Sequence, residues 1–399
     1  MLRELYHNDV IGKKNGPSLS VLIPTRNRKS ELQALVSLID DCKSDRVEFI
    51  ISDNSDEALG IVSQNPSCLV VRPKTLLNMT ENWNFVLTYA KGKYFTVLGD
   101  DDALIPGELE RLASALDDTE SDIVWMKRAT YAWPDDKSPG NFYQEARRKP
   151  RRAQLDQQRR RVRALDYTSL PIPYHDAVVH SRVVKSHFES SLGSDFFTSR
   201  TPDYNSGAKI LFLAKTQLDY PRTVFVSGAS SSSNGKLVWS NPTHPRAMEF
   251  TNLNQNPPPG WIPKVEIPVG FFWLHEAVED ALVQLGIPPS TSTRRICFRS
   301  ILQSQNPKKQ FLAARSIWPN LILTRILGLS LALAKMQLIR FGVVRLWSYT
   351  LIIFRVLMGK SQLISVKTSG VMRDTRALAH FLETSKILES RHRIIRVRQ

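Results

Sequence analysis

Three consecutive carboxylates, Asp100, Asp101 and Asp102, follow an apolar run at residues 94–98 and a single glycine, Gly99. Like charges gathered at the mouth of a strand repel one another, so such a turn calls for something positive among them. Oxygen donors of this kind suit a hard divalent cation that carries a diphosphate on its other side. The plainer explanation is a solvated acidic turn ahead of a helix that Pro106 opens at its favoured first position. Two further polar clusters end apolar runs: Pro24-Thr-Arg-Asn-Arg after residues 19–23, and Ser52-Asp-Asn-Ser-Asp after residues 47–51. A lone acid, Asp203, stands at the head of an apolar helical stretch. There it either takes a proton from a reacting hydroxyl or only complements the helix dipole. Asp195 is the reserve candidate for the same task.

The elements that must position these groups read as alternating strands and helices. Residues 19–23, 47–51, 69–71, 94–98 and 122–126 are short apolar runs of strand length. Between them, Leu32, Leu35, Val36 and Ile39 share one helical face, and Trp83, Val86, Leu87 and Ala90 share another. Ser30-Glu-Leu-Gln has capping-box spacing, and Thr80 is placed to cap the second helix. Alternation of this kind predicts an α/β fold with a mostly parallel sheet flanked by helices. Ligands of such sheets lie beyond the carboxyl ends of the strands, where Thr25, Asp53 and Asp100 all fall. Neither a Gly-x-Gly-x-x-Gly turn nor a Gly-Lys-Ser/Thr loop is present, which disfavours dinucleotide and P-loop readings.

Composition bounds the rest. The chain has 399 residues, 42% of them hydrophobic and 23% charged, the ordinary make-up of a soluble globular protein. The net charge of +16 is concentrated, because residues 291–399 hold 20 Lys and Arg against 3 Asp and Glu. Three widely spaced cysteines without metal-like pairing fit a reducing, cytoplasmic setting. The first residues lack a signal-peptide apolar core, and no apolar run reaches membrane-spanning length.

Ser20-Val-Leu-Ile-Pro-Thr-Arg-Asn-Arg, Ile51-Ser-Asp-Asn-Ser-Asp, Asn82-Trp-Asn followed by Ala90-Lys-Gly-Lys-Tyr, and Gly99-Asp-Asp-Asp occur in this order and spacing. Together they resemble the family-2 glycosyltransferases of the GT-A fold over about the first 130 residues, and more patchily to Gly235. The resemblance implies a Rossmann-like sheet that binds a nucleotide-sugar donor. It places Thr25, Arg28, Asp53 and Asn54 around the nucleoside, commonly uridine, and Asp100 toward the ribose. Asp101 would hold Mn²⁺ or Mg²⁺ with Asp102 in support, although Gly99 stands where the family often has an acid. Asp203 matches the position of the family's catalytic base, with Pro202 where a Glu is more usual. The Gln-x-x-Arg-Trp element of processive synthases is absent, which points to the addition of one sugar.

The remaining segments carry looser expectations. Nine Lys and Arg fall within residues 147–163, either a solvated charge run or a mobile lid over diphosphate. Residues 228–235 are a phosphate-binding nest or a flexible loop, and His175, His180 and His187 are structural. Residues 1–240 form the transferase domain, with the nucleotide-binding half at about 18–130. Residues 241–290 form a linker and a helix, and 291–399 a basic, apolar, mainly helical C-terminal region. That last region fits peripheral docking on an anionic inner membrane face; a nucleic-acid role is disfavoured for want of a recognised module. The expected function is inverting, metal-dependent transfer of one sugar from a nucleotide-diphosphate donor to a glycan or lipid-linked acceptor, in surface-polysaccharide assembly. The alternatives are a sugar nucleotidyltransferase, or an inactive transferase-fold adaptor for membrane or nucleic acid.

Overall fold

The order of elements follows from the apolar runs and the turns that separate them. In the computed structural model, which describes residues 16–134, 140–144, 155–190, 195–230, 233, 238, 244–254, 270–288 and 364–367, β1 (Leu19–Thr25) leads through α1 (Lys29–Asp41) to β2 (Val47–Asp53) and β3 (Cys68–Val71). Then come α2 (Met79–Leu87), β4 (Tyr94–Val97), the short β5 (Ala103–Leu104), α3 (Pro106–Asp117), β6 (Ile123–Trp125), β7 (Ala129–Ala132) and β8 (Asn141–Gln144). The chain continues with α4 (Leu155–Arg163), β9 (Ala177–His180), α5 (Ser181–Ser190), α6 (Pro202–Leu213), β10 (Gln217–Asp219) and β11 (Phe225–Ala229). Last are α7 (Pro245–Leu253), α8 (Gly270–Gln284) and β12 (Ile364–Lys367).

The main sheet has the order β10-β6-β9-β4-β1-β2-β3. It is mostly parallel; β9 alone runs against its neighbours β4 and β6. Period-2 alternation sorts its side chains into two layers. Leu19, Val21 and Ile23 of β1 pack with Leu32, Leu35, Val36 and Ile39 of α1 and with α3 on one face. Leu22, Ile50, Phe95 and Val97 pack with Trp83, Val86 and Leu87 of α2 and with α5 on the other. Each fully buried aliphatic side chain here contributes about 1.5–3 kcal/mol relative to exposure. The amino ends of the strands are closed by Glu48, which accepts from Ser20 Oγ at 2.6 Å and from Lys91 N at 2.5 Å. The carboxyl ends are left for the polar clusters.

A third apolar cluster joins α4, α6 and α8, so α8 packs on the same body as the sheet. Of the basic run, residues 155–163 are a helix packed on α6, and residues 147–154 lie outside the described residues. Arg159 turns inward, donating to the carbonyls of Leu211 at 3.0 Å and Ala214 at 2.6 Å, and so caps the end of α6. The second sheet, β12-β8-β7-β11-β5, is not foreseen by the hydrophobic pattern, because its strands are short and its pairings distant in sequence.

Two capping assignments change. The Ser30 hydroxyl donates to Glu31, and α1 begins at Lys29 without a side-chain cap. The cap of α2 is Asn78, which forms a full capping box with Glu81, while Thr80 Oγ1 donates to the Ser199 carbonyl. The expected helical region at 291–399 lies outside the described residues apart from β12, as does most of the expected linker. Among the described residues, no helix is long and apolar enough to cross a membrane.

Candidate active site

Because β1, β2 and β4 are parallel, their carboxyl ends open at one edge. Thr25 stands opposite Asp53 in register, and β4 runs on through Leu98 into the acidic turn. Asp102 braces that turn. One of its oxygens accepts from Gly99 N at 2.5 Å and the other from Gly228 N at 2.6 Å. His175 Nε2 stands 2.9 Å from the same carboxylate. Burial alone would raise the Asp102 carboxyl, but His175 and the two amides hold it below the usual range. The glycine at 99 has a steric reason: a Cβ there would meet Tyr174 Oη and the Asp102 carboxylate. At Gly228 a Cβ would collide with the Asp101 backbone carbonyl. Tyr174 and His175 reach the site because Tyr174 bridges Val97 at the end of β4.

Arg28 supplies the positive charge that the acid triplet demands. Its guanidinium bonds Asp100, Asp101 (2.7 Å) and Ser230 Oγ (2.6 Å). Thr25 Oγ1 donates to the second Asp100 oxygen at 2.7 Å, and Ser230 donates to Asp101 from both N (3.2 Å) and Oγ (2.7 Å). Burial, with Asp101 and Asp102 close by, pushes the Asp100 carboxyl up, against the pull of Arg28 and Thr25. Burial would lower the Arg28 guanidinium, but Asp100 and Asp101 outweigh it and hold it firmly protonated. The amides of Gly228 and Ser230 point at carboxylates, so this described part of the 228–235 loop is no phosphate nest.

Whether these residues suit a divalent cation is answered by what occupies their oxygens. Two buried carboxylates, Asp100 and Asp101, converge on one cationic group, the Arg28 guanidinium, and their oxygens are hard donors of the kind a divalent cation also takes. Asp102, the expected supporting ligand, differs, since its two oxygens accept from the Gly99 and Gly228 amides. This leaves Asp100, expected toward the ribose, as the carboxylate that converges with Asp101. Among the described residues, no group of three or more His, Cys, Asp or Glu side chains is arranged as a metal centre.

The second cluster is tied to the first loop. Asn54 N donates to the Thr25 carbonyl at 3.0 Å, and Asn27 N to Ser55 Oγ at 2.8 Å. The Asp53 carboxylate accepts from Ser55 N, Leu59 N and Arg72. Asn54 spends its side-chain amide on Leu77, giving one hydrogen bond and accepting another. Asp53 thus stands at the edge beside Thr25, whereas Asn54 shapes the loop. A cavity of about 430 Å³ adjoins the first loop, lined by Asn27, Arg28, Lys29, Glu31 and Arg246 among others.

Asp203 occupies the first turn of α6, behind Pro202. Burial pushes its carboxyl up to about 6, partly offset by the backbone N–H groups of Tyr204 and of Asp203 itself. The loop before it is anchored on α8: Arg200 pairs with Glu276 at 3.2 Å and lies 4.9 Å from the Trp273 ring centroid. Asn205 donates to the Ala277 carbonyl at 2.9 Å and to Asp280 at 3.0 Å. The reserve candidate, Asp195, has an exposed side chain and contributes its backbone carbonyl to Lys209 and to His187. His187 and His180 serve the framework, His180 being lowered to about 4 by burial. His175 is structural too, supporting the acidic turn through Asp102, a contact its spacing alone did not betray, since the bridge to Val97 brings it there. Ser230 reaches Asp101 from the end of β11, 129 residues away in the chain.

Residues 20–184 match the family model described as Glycosyl transferase family 2. A Haemophilus influenzae protein described as an uncharacterized glycosyltransferase is 30% identical over 101 residues, 25% of this chain and 34% of that one. A Campylobacter jejuni GalNAc(5)-diNAcBac-PP-undecaprenol beta-1,3-glucosyltransferase is 36% identical over 103 residues, 24% of this chain and 33% of that one. The abequosyltransferase RfbV of Salmonella typhimurium is 30% identical over 119 residues, 28% and 35% respectively. Each match thus spans about a third of the relative's length. Among solved structures, S. aureus TarS 1-349 in complex with UDP-GlcNAc aligns with a TM-score of 0.44 and 14% identity, over 75% of this chain and 71% of that one.

The steric argument at the turn has a measurable consequence. Gly228→Ala should lower unfolding stability by about 2 kcal/mol or more, because the obstacle is backbone and cannot rotate away. Urea denaturation that left the midpoint unchanged would show that β11 does not press on the acidic turn as described.

Proposed function

We propose, from the match of residues 20–184 to the glycosyl transferase family 2 model, that the chain transfers a single sugar, with inversion, from a nucleotide-diphosphate donor. The observation that carries this reading is the convergence of Thr25, Arg28, Asp100 and Asp101 at the carboxyl edge of parallel strands. A donor lies there with its nucleoside toward Thr25 and Asp53 and its diphosphate toward the acidic turn. Asp100 and Asp101 would hold a divalent cation, Mn²⁺ or Mg²⁺, which when bound neutralises charge on the leaving diphosphate. Asp102 keeps the turn in shape through Gly99, Gly228 and His175. Uridine diphosphate is the favoured nucleotide, on the resemblance of the first loop to its relatives.

In this reading Asp203 is the base. Its carboxylate takes the proton of the acceptor hydroxyl as that oxygen attacks the anomeric carbon from the face opposite the diphosphate. The new C–O bond forms as the bond to the diphosphate oxygen breaks, so configuration inverts. A base must be ionised to act, and burial has moved this one upward, so the rate should climb as pH rises through about 6. A lipid-linked or glycan acceptor in surface-polysaccharide assembly is the proposed partner, in keeping with the PP-undecaprenol glycan in the Campylobacter relative's description. The basic, acid-poor sequence of residues 291–399 supports peripheral binding to the anionic inner face of the plasma membrane.

Two measurements test these points. Asp203→Asn should cut the transfer rate by about 10²–10⁴-fold while nucleotide binding persists; a variant with wild-type turnover would remove Asp203 from the chemistry. Cosedimentation with anionic vesicles should be lost when residues 316–399 are deleted; a truncated chain that still pellets would place the membrane contact elsewhere.

A further inference from the structure

We propose that Arg28 is an exchangeable internal counter-ion, competing with the divalent cation for Asp100 and Asp101 and passing to the donor's phosphate oxygens when that cation arrives. This rests on the nucleotide-sugar reading above but goes beyond it, because it gives the first loop an active part in loading the site. The guanidinium bridges the two carboxylates on which a cation would also converge. Both cations cannot occupy the same oxygens, so each must weaken the other's hold. Without Arg28 the clustered carboxylates would repel across a largely water-free space, and Thr25 and Ser230 would be left as their donors. The arginine therefore keeps the carboxylate cluster assembled.

Two further observations make exchange feasible without unfolding. Arg28 is among the residues that line the 430 Å³ cavity beside the first loop, and its side chain retains 13% exposure. Lys29 and Arg246 line the same cavity with one acid, Glu31, and the net positive charge of that lining favours phosphate on that side of the turn. The Arg28 backbone is fixed meanwhile: Leu32 N donates to its carbonyl at 3.1 Å as α1 begins. Only the side chain has to move. A planar fork that bridges two carboxylates also matches phosphate oxygens, which a lysine point charge does not.

The test is Mn²⁺ binding in the absence of nucleotide, read by the paramagnetic resonance signal of free Mn²⁺, on wild type, Arg28→Ala, Arg28→Gln and Arg28→Lys. Removing a positive charge in contact with the ligand oxygens should tighten Mn²⁺ binding at least about tenfold in the Ala and Gln variants, with Lys between them and wild type. The gain should vanish when Asp101→Asn is added to Arg28→Gln. Calorimetry at saturating Mn²⁺ should show UDP binding weakened about tenfold in Arg28→Gln. Mn²⁺ affinity that is equal or lower in the variants, or absent throughout, overturns the proposal. Should the Ala and Gln variants not fold, Arg28→Lys decides it alone, and unchanged Mn²⁺ affinity there counts against exchange. Failure of UDP, GDP and dTDP to bind wild type would instead strike the nucleotide reading, and the Mn²⁺ comparison would still stand on its own.

Discussion

A buried carboxylate is tolerated only where something answers its charge, and this fold places three of them in one turn. The ion pairs from Arg28 to Asp100 and Asp101 meet most of that demand. Breaking a buried pair by removing one partner commonly costs 3–5 kcal/mol, about as much as several buried methylenes contribute. The strands at this edge are therefore held by electrostatics at their ends as well as by apolar packing along their lengths. Asp102 is answered differently, by two backbone amides and His175. This division of labour leaves Asp100 and Asp101 answered by a side-chain cation, while Asp102 maintains the geometry around them.

The same constraint explains why distant segments meet here. β11 belongs to the second sheet, yet Gly228 and Ser230 turn their N–H groups onto the acidic triplet. The first loop contributes Thr25 and Arg28, and the residues before β9 contribute Tyr174 and His175. On the far side, α8 fixes the loop ahead of α6 through Arg200–Glu276 and Asn205–Asp280, and so sets where Asp203 stands. The acidic turn and Asp203 thus rest on different supports: the parallel sheet carries one, a helix pair the other.

How much of this was legible depended on the range of the interaction. Local patterns read well: β1, β2, β4 and α1 follow from the alternation of Leu19, Val21 and Ile23 and from the spacing of Leu32, Leu35 and Ile39. The acidic triplet was visible because three adjacent acids are conspicuous in any sequence. The partners of those acids were not, because Arg28 lies 72 residues from Asp100 and Ser230 lies 129 from Asp101. His175 looked like one of several scattered histidines until the bridge at Val97 placed it. The cap of α2 was misread by two residues, since Asn78 and Thr80 are both good capping types and only Glu81 distinguishes them. The second sheet escaped because strands of two to five residues carry too little alternation to stand out.

The central claim is that the carboxyl edge binds a nucleotide diphosphate through a cation held on the acidic turn. Calorimetric titration of UDP with and without Mn²⁺, on wild type and Asp101→Ala, tests it most directly. The account predicts Mn²⁺-dependent binding to wild type that disappears in Asp101→Ala while the variant remains folded. Binding of equal strength to both proteins, or indifferent to the metal, would contradict it.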